Sequence, residues 1–266
     1  MALIHPNVFD AVVAIGKPGP DNTKRWVGTG FLFGQFIETT AQGQKKYRVF
    51  LVSNKHVFGS LNQMFLRFNP RQQEKAIDLP ITLQNEPGKF KWKGHSDPKI
   101  DLAVLELNMK AIGEQGAKTF FIRSDEHALT LPQMQENGIS EGDGVFALGY
   151  PMGILDEDKQ YVILRSGSIA RIRDSYDGHK QDFLCDVFVF PGNSGGPVFA
   201  KPDAVSVHGT VQNKKSALIG VVRSYIPYRD TAVSQQTRRP RITFEENSGL
   251  ASIIPIDHLL ELLETL

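Results

Sequence analysis

The chain has 266 residues, 41% hydrophobic and 22% charged, the composition of a soluble globular protein with core enough for one large domain or two small ones. A formal net charge of +1 gives no global attraction to nucleic acid or to an anionic membrane, so neither is an expected partner. One cysteine, Cys185, leaves no intramolecular disulfide; residues 1–13 show no secretory pattern, and no apolar run reaches the roughly 18 residues of a membrane span, so the expected compartment is the cytoplasm.

Short runs rich in Val, Ile and Phe, bounded by turn residues, predict strands at 11–15, 29–33, 47–52, 77–83 and 102–107. A second set follows at 145–148, 161–165, 183–189, 198–200 and 217–223. Residues 36–46 are polar and read as a hairpin tip, and the interval from Ile122 to Glu141, with Pro132 and Gly138, reads as a boundary. Residues 227–249 read as a long solvated loop holding Arg238, Arg239 and Arg241. Only the C-terminus carries helical periodicity: Ile256, Leu259, Leu260 and Leu263 share one face, with Asp257 as the predicted N-cap. The expectation is an all-β body with a short closing helix.

The heptamer Pro191-Gly192-Asn193-Ser194-Gly195-Gly196-Pro197 is the segment that points to chemistry. Glycine lets backbone N–H groups face a ligand at close range, and proline narrows the wander of the loop. A serine hydroxyl is a poor nucleophile near neutral pH and needs an imidazole to take its proton and a carboxylate to fix the imidazole tautomer. Of seven histidines, His56 stands at the end of an apolar strand, where a cleft can form. His5, His95, His127, His179, His208 and His258 lie in polar or loop-like contexts. Asp101 opens the apolar run Leu102 to Leu107, where a carboxylate needs a partner; Asp97 precedes Pro98 in a polar turn.

Together these segments resemble the trypsin-like (chymotrypsin-fold) serine proteases. The order His56, Asp101, Ser194, at intervals of 45 and 93 residues, matches that family's order. Within it, Gly28-Thr29-Gly30-Phe31, Asn54-Lys55-His56-Val57, Asp101-Leu102-Ala103-Val104-Leu105, Ala147-Leu148-Gly149-Tyr150-Pro151 and Gly192-Asn193-Ser194-Gly195-Gly196-Pro197 resemble the HtrA (Deg) type. The resemblance implies two six-stranded antiparallel β-barrels, residues 1–125 and 126–255, closed by a helix at 256–266. It implies a serine endopeptidase acting on protein or peptide substrates without metal or cofactor. Ser194 is then the nucleophile, His56 the general base and Asp101 its orienting partner, with the backbone N–H groups of Gly192 and Ser194 as oxyanion hole. Arg223, Ser224 and Tyr225 are implied to pair with the substrate backbone as an added strand.

Several letters depart from the family. Asn193 replaces the aspartate that digestive relatives pair with a newly cut N-terminus, and Met1-Ala2-Leu3 is no activation sequence, so activation by N-terminal cleavage is not expected. The sequence ends just after the closing helix, so the PDZ domain usual in HtrA relatives is not expected either. Phe188 stands six residues before Ser194, where trypsin-type enzymes place the aspartate that binds Arg or Lys; with Val189 it predicts an apolar pocket and cleavage after a small or medium apolar residue. Restraint is expected from the Pro191–Gly192 peptide turning its N–H out of the hole until a regulatory protein partner orders the cleft.

Two other readings compete. Gly192 to Gly196 also fits the nucleophile elbow of α/β-hydrolases, with Asp230 or Asp257 and His258 downstream, but that elbow needs a helix after the serine where Val198-Phe199-Ala200 reads as strand. A trypsin-like fold can also lose catalysis and serve as a binding module. No cluster of metal-ligand spacing is visible.

Overall fold

The structure, a computed structural model, describes all residues except 1–2, 73–74, 87, 204–208, 210–211 and 214. Met1, Ala2 and His208 therefore lie outside the described residues.

Strands dominate, and they form two bodies. In the N-terminal half, hydrogen bonding runs through Ala117–Lys118, Gln63–Pro70, Val12–Pro18, Lys24–Thr39, Lys45–Ser53, Ala103–Glu106 and Lys93–Gly94. Ile77–Thr82 pairs with Gln63–Pro70, and Ile122–Arg123 runs parallel to Lys24–Thr39. This is a nine-stranded sheet, and among the described residues its path does not close, unlike the expected six-stranded barrel. A separate small hairpin pairs Gln84–Glu86 with Lys89–Phe90. The C-terminal half is the closed six-stranded barrel expected, built from Gly144–Gly149, Ile163–Arg171, Phe183–Asp186, Pro240–Pro255, Ala217–Val233 and Pro197–Ala200.

Alternation of buried and open residues explains the strands. In Gln63–Pro70, which the sequence reading missed, Met64, Leu66 and Phe68 are fully buried while their neighbours are partly open, a period of two. Three apolar clusters result. One fills the N-terminal sheet around Leu51, Phe58 and Phe68. Another fills the barrel around Ile169, Cys185 and Ile219. The third joins the halves, with Phe31 and Val104 from one, Leu148 and Phe199 from the other, and Ile256 and Leu259 from the closing helix Ile256–Glu264. That helix also buries Leu262, outside the predicted face.

Three expectations change. The interval between the halves holds two short helices, Ser124–His127 and Leu131–Glu136, the second opened by a Thr130–Gln133 capping box. Asp257 is not an N-cap: it lies inside the closing helix, and its carboxylate accepts the Leu131 N–H at 2.9 Å. Residues 227–249 are not a loop but the outer part of a long hairpin, paired from Pro227↔Asn247 to Val233↔Pro240.

Candidate active site

Strand pairing sets His56 beside Asp101. Lys45–Ser53 runs antiparallel to Ala103–Glu106 with Ser53 opposite Ala103, so the residues just past these ends are neighbours. His56 rides on the single turn Lys55–Phe58; Val57 and Phe58 are buried beneath it, while the imidazole is 52% exposed and open to a ligand. Asp101 Oδ2 lies 2.5 Å from His56 Nδ1, and Asp101 Oδ1 accepts the His56 backbone N–H at 3.1 Å. Asn54 Nδ2 donates to Asp101 O at 2.7 Å and braces the same corner. Burial pushes the Asp101 carboxyl up, but the His56 hydrogen bond and charge, the His56 N–H and the Arg223 charge outweigh it and hold the group below its ordinary value. A carboxylate that accepts a hydrogen bond from Nδ1–H keeps the proton on Nδ1 and leaves the Nε2 lone pair free, the tautomer a general base needs.

Ser194 follows a tight turn. Asn193 N–H donates to Phe190 O at 2.9 Å, and the buried Asn193 side chain accepts the Phe190 N–H at its Oδ1, also at 2.9 Å. Gly192, third in this turn, has φ +103°, which the turn demands and side chains resist, and a Cβ there would collide with Tyr150 O. Gly195 has φ +83° and is packed so closely on Ser53 and Thr29 O that no side chain fits. This contact brings the serine turn against the strand end three residues before His56. The N–H groups of Gly192 and Ser194 have no acceptor among the described residues. Pro191 O accepts the Met152 N–H at 2.6 Å, one hydrogen bond holding the Pro191–Gly192 peptide. Ser194 Oγ donates to Arg223 O at 3.2 Å and makes no hydrogen bond with His56 among the described residues.

Sequence reasoning missed Thr29. It is fully buried in the strand Lys24–Thr39, yet it serves the turn in the other half of the molecule. Its hydroxyl donates to Gly192 O at 2.6 Å and accepts the Tyr150 N–H at 3.0 Å; its own N–H donates to Ser194 O at 3.0 Å. The available signal was a hydroxyl between two glycines in an otherwise apolar strand, Gly28-Thr29-Gly30-Phe31.

Beside the serine lies a cavity of about 160 Å³ lined by Val189, Phe190, Pro191, Ser194, Val222, Ser224 and Tyr225. Val189, Ser224 and Tyr225, singled out from the sequence, all line it. Phe188 is not: its ring is 52% exposed and lies against Gly249, outside the cavity, and Phe190 supplies the aromatic wall. Arg223 turns its guanidinium away to Asp182 at 2.6 Å and offers only backbone here.

Tertiary contact also gathers one group of metal-ligating types that spacing hid: His95, His258 and Glu261. Glu261 Oε2 lies 3.2 Å from His95 Nε2 and 2.9 Å from His258 Nδ1. Because His95 Nδ1 accepts the Asp97 N–H, its proton sits on Nε2, directed at Glu261, and no lone pair is left there for an ion. The trio works as a hydrogen-bonded clasp on the closing helix. The α/β-hydrolase reading fails on topology, since Pro197–Ala200 after the serine is a strand.

Comparison with known proteins bears on this site. The chain is 25% identical over 174 residues to the "Probable periplasmic serine endoprotease DegP-like" of Hahella chejuensis, covering 65% of this chain and 29% of that relative. It therefore spans less than a third of the length of the curated relative it matches. Among solved structures, the scabies mite inactivated protease paralogue S-I1 superposes with a TM-score of 0.49 at 13% identity, covering 98% of this chain and 96% of the other. The model of the trypsin-like peptidase domain matches residues 28–205, more than half of the chain, and on that match the chain belongs to the trypsin-like peptidase family.

Proposed function

We propose that the protein is a serine endopeptidase in which Ser194, His56 and Asp101 act together on a peptide bond. The observation that carries this is the pairing of the His56–Asp101 couple with a serine on a glycine-locked turn whose flanking N–H groups are unengaged. Ser194 Oγ attacks the scissile carbonyl as its proton passes to His56 Nε2, and Asp101 stabilises the imidazolium. The Gly192 and Ser194 N–H groups receive the negative oxygen of the tetrahedral intermediate. His56 returns the proton to the leaving amine, and water, activated by His56, hydrolyses the acyl-enzyme.

Arg223 O has a second use in this reading. As the empty enzyme's partner for Ser194 Oγ, it stands on the edge where a substrate strand pairs. A substrate N–H that takes Arg223 O releases the hydroxyl to His56. The lining of Val189, Phe190 and Val222 favours a small or medium apolar residue before the cleaved bond. The single buried cysteine, which leaves no disulfide to keep oxidised, supports a cytoplasmic site of action, to be checked by cell fractionation.

A fluorophosphonate probe tests the core of the proposal. Wild type becomes labelled on Ser194 and cleaves casein, and Ser194→Ala does neither. A folded wild type that takes no label and cleaves nothing refutes the proposal and leaves a binding module.

A further inference from the structure

The outer hairpin is the largest ordered feature that the proposed chemistry does not use. Register puts Tyr228, Asp230 and Ala232 on the same face as their partners Glu246, Phe244 and Ile242. Tyr228, Phe244 and Ile242 are each more than half exposed, an apolar group edged by the carboxylates of Asp230 and Glu246. The opposite face is braced: Arg229 Nε bonds Glu245 at 3.0 Å, Tyr225 Oη bonds the same carboxylate at 2.6 Å, and Thr231 meets Thr243 at 3.2 Å. The ribbon is therefore stiff, and a stiff exposed apolar patch marks an interaction surface.

Its edge narrows the choice of partner. The strand Ala217–Val233 pairs with Pro240–Pro255 on one side and with Pro197–Ala200 on the other, the latter only as far as Val221. Backbone bonds with Gly195 and Gly196 close that second side at Val222. From Arg223 to Val233 no strand covers it among the described residues. An uncovered strand edge pairs with an extended polypeptide and with nothing in a lipid surface. The same edge begins at Arg223, the residue that holds Ser194 Oγ.

We infer that the hairpin is a docking ribbon for the substrate itself. An extended apolar stretch of the polypeptide, N-terminal to the cleaved bond, adds as an antiparallel strand along Arg223–Val233, its side chains on the face that carries Tyr228 and, one strand further in, Phe244 and Ile242. Unfolded chains with exposed apolar segments are then the preferred substrates, and long ones are preferred over short ones. This rests on the endopeptidase reading above.

The test uses the full chain and the triple variant Tyr228→Ser, Ile242→Ser, Phe244→Ser, with its fold checked by circular dichroism and thermal melting. Loss of the patch is expected to raise KM for casein by about 10-fold or more while kcat for a four-residue reporter stays within about twofold. Binding of fluorescent, unfolded carboxymethyl-lactalbumin to Ser194→Ala, with and without the triple change, reads the same surface without catalysis, with a matching loss of affinity. Equal responses of casein and reporter, or unchanged binding, overturn the inference. So does a wild-type dimer that the triple variant disperses, or binding to anionic phospholipid vesicles without binding to the polypeptide. If wild type cleaves neither substrate, the endopeptidase reading falls, and the Ser194→Ala binding comparison still decides the ribbon.

Discussion

Replacing Thr29 with valine keeps the shape of the side chain and removes its oxygen. Gly192 O then loses its donor and Tyr150 N–H loses its acceptor, both in a fully buried setting. Each orphaned backbone group costs about 1–3 kcal/mol, so the variant is expected to lose about 2–6 kcal/mol of stability. For a domain of this size that lowers Tm by roughly 5–15 °C. The loss also reaches the proposed chemistry, because Gly192 O tethers the turn that carries the proposed oxyanion donors. Removing one such donor outright costs on the order of 10²–10³ in rate, so loosening it is expected to lower kcat by about 10-fold or more with KM nearly unchanged. Urea unfolding and steady-state kinetics on a short reporter measure both, and Thr29→Ser, which keeps the hydroxyl, is expected to restore most of each. A Thr29→Val protein with wild-type stability and kcat refutes the reasoning, as does Thr29→Ser failing to the same extent.

Two further outcomes follow from groups far from the cleft. Burial pushes the Glu141 carboxyl up, but the N–H groups of Ile172 and Arg173 and the Ser140 hydroxyl draw it down to about 2. A carboxylate depressed in the folded state adds stability that is fully present above its ordinary value of 4.5 and lost as pH falls through about 2. Glu141→Gln is therefore expected to be less stable than wild type at pH 7, with the gap closing as pH falls from 4.5 toward 2; a gap constant with pH in urea unfolding speaks against it. Cys185 is fully buried, and burial pushes its thiol up to about 12, so Ellman's reagent at pH 8 is expected to find no thiol until denaturant is added. Rapid labelling of the native protein contradicts that burial.

What the sequence revealed and what it hid have separate physical causes. Strands such as Lys45–Ser53 and Ala103–Glu106 announce themselves because their inward residues are Val, Leu and Phe, and the closing helix shows its face through a 3.6-residue period. The outer hairpin shows no such contrast, since both its faces meet solvent and no residue there must be apolar for burial. The positions of His56, Asp101 and Ser194 were legible because their local settings are written in adjacent letters. Thr29 was not, since its partners Gly192 and Ser194 lie more than 160 residues away and only the docking of the halves brings them near. Phe188 was misplaced by counting back from the serine: past the strand end at Asp186, Val187 and Val189 are buried, Phe188 is exposed, and Phe190, at the start of the serine turn, lines the cavity.

The bond between Thr29 N–H and Ser194 O has a consequence for how the protein is made. Synthesis delivers Thr29, His56 and Asp101 first, and the turn that needs them emerges last, with most of its barrel. The turn's geometry does not belong to the segment that encodes it but to the completed chain, which supplies the scaffold from its opening residues. A ribosome-bound N-terminal half holds the scaffold without the turn, and a C-terminal fragment cut between the halves holds the turn without the scaffold. Reactivity would thus be withheld from unfinished molecules without any separate inhibitory segment.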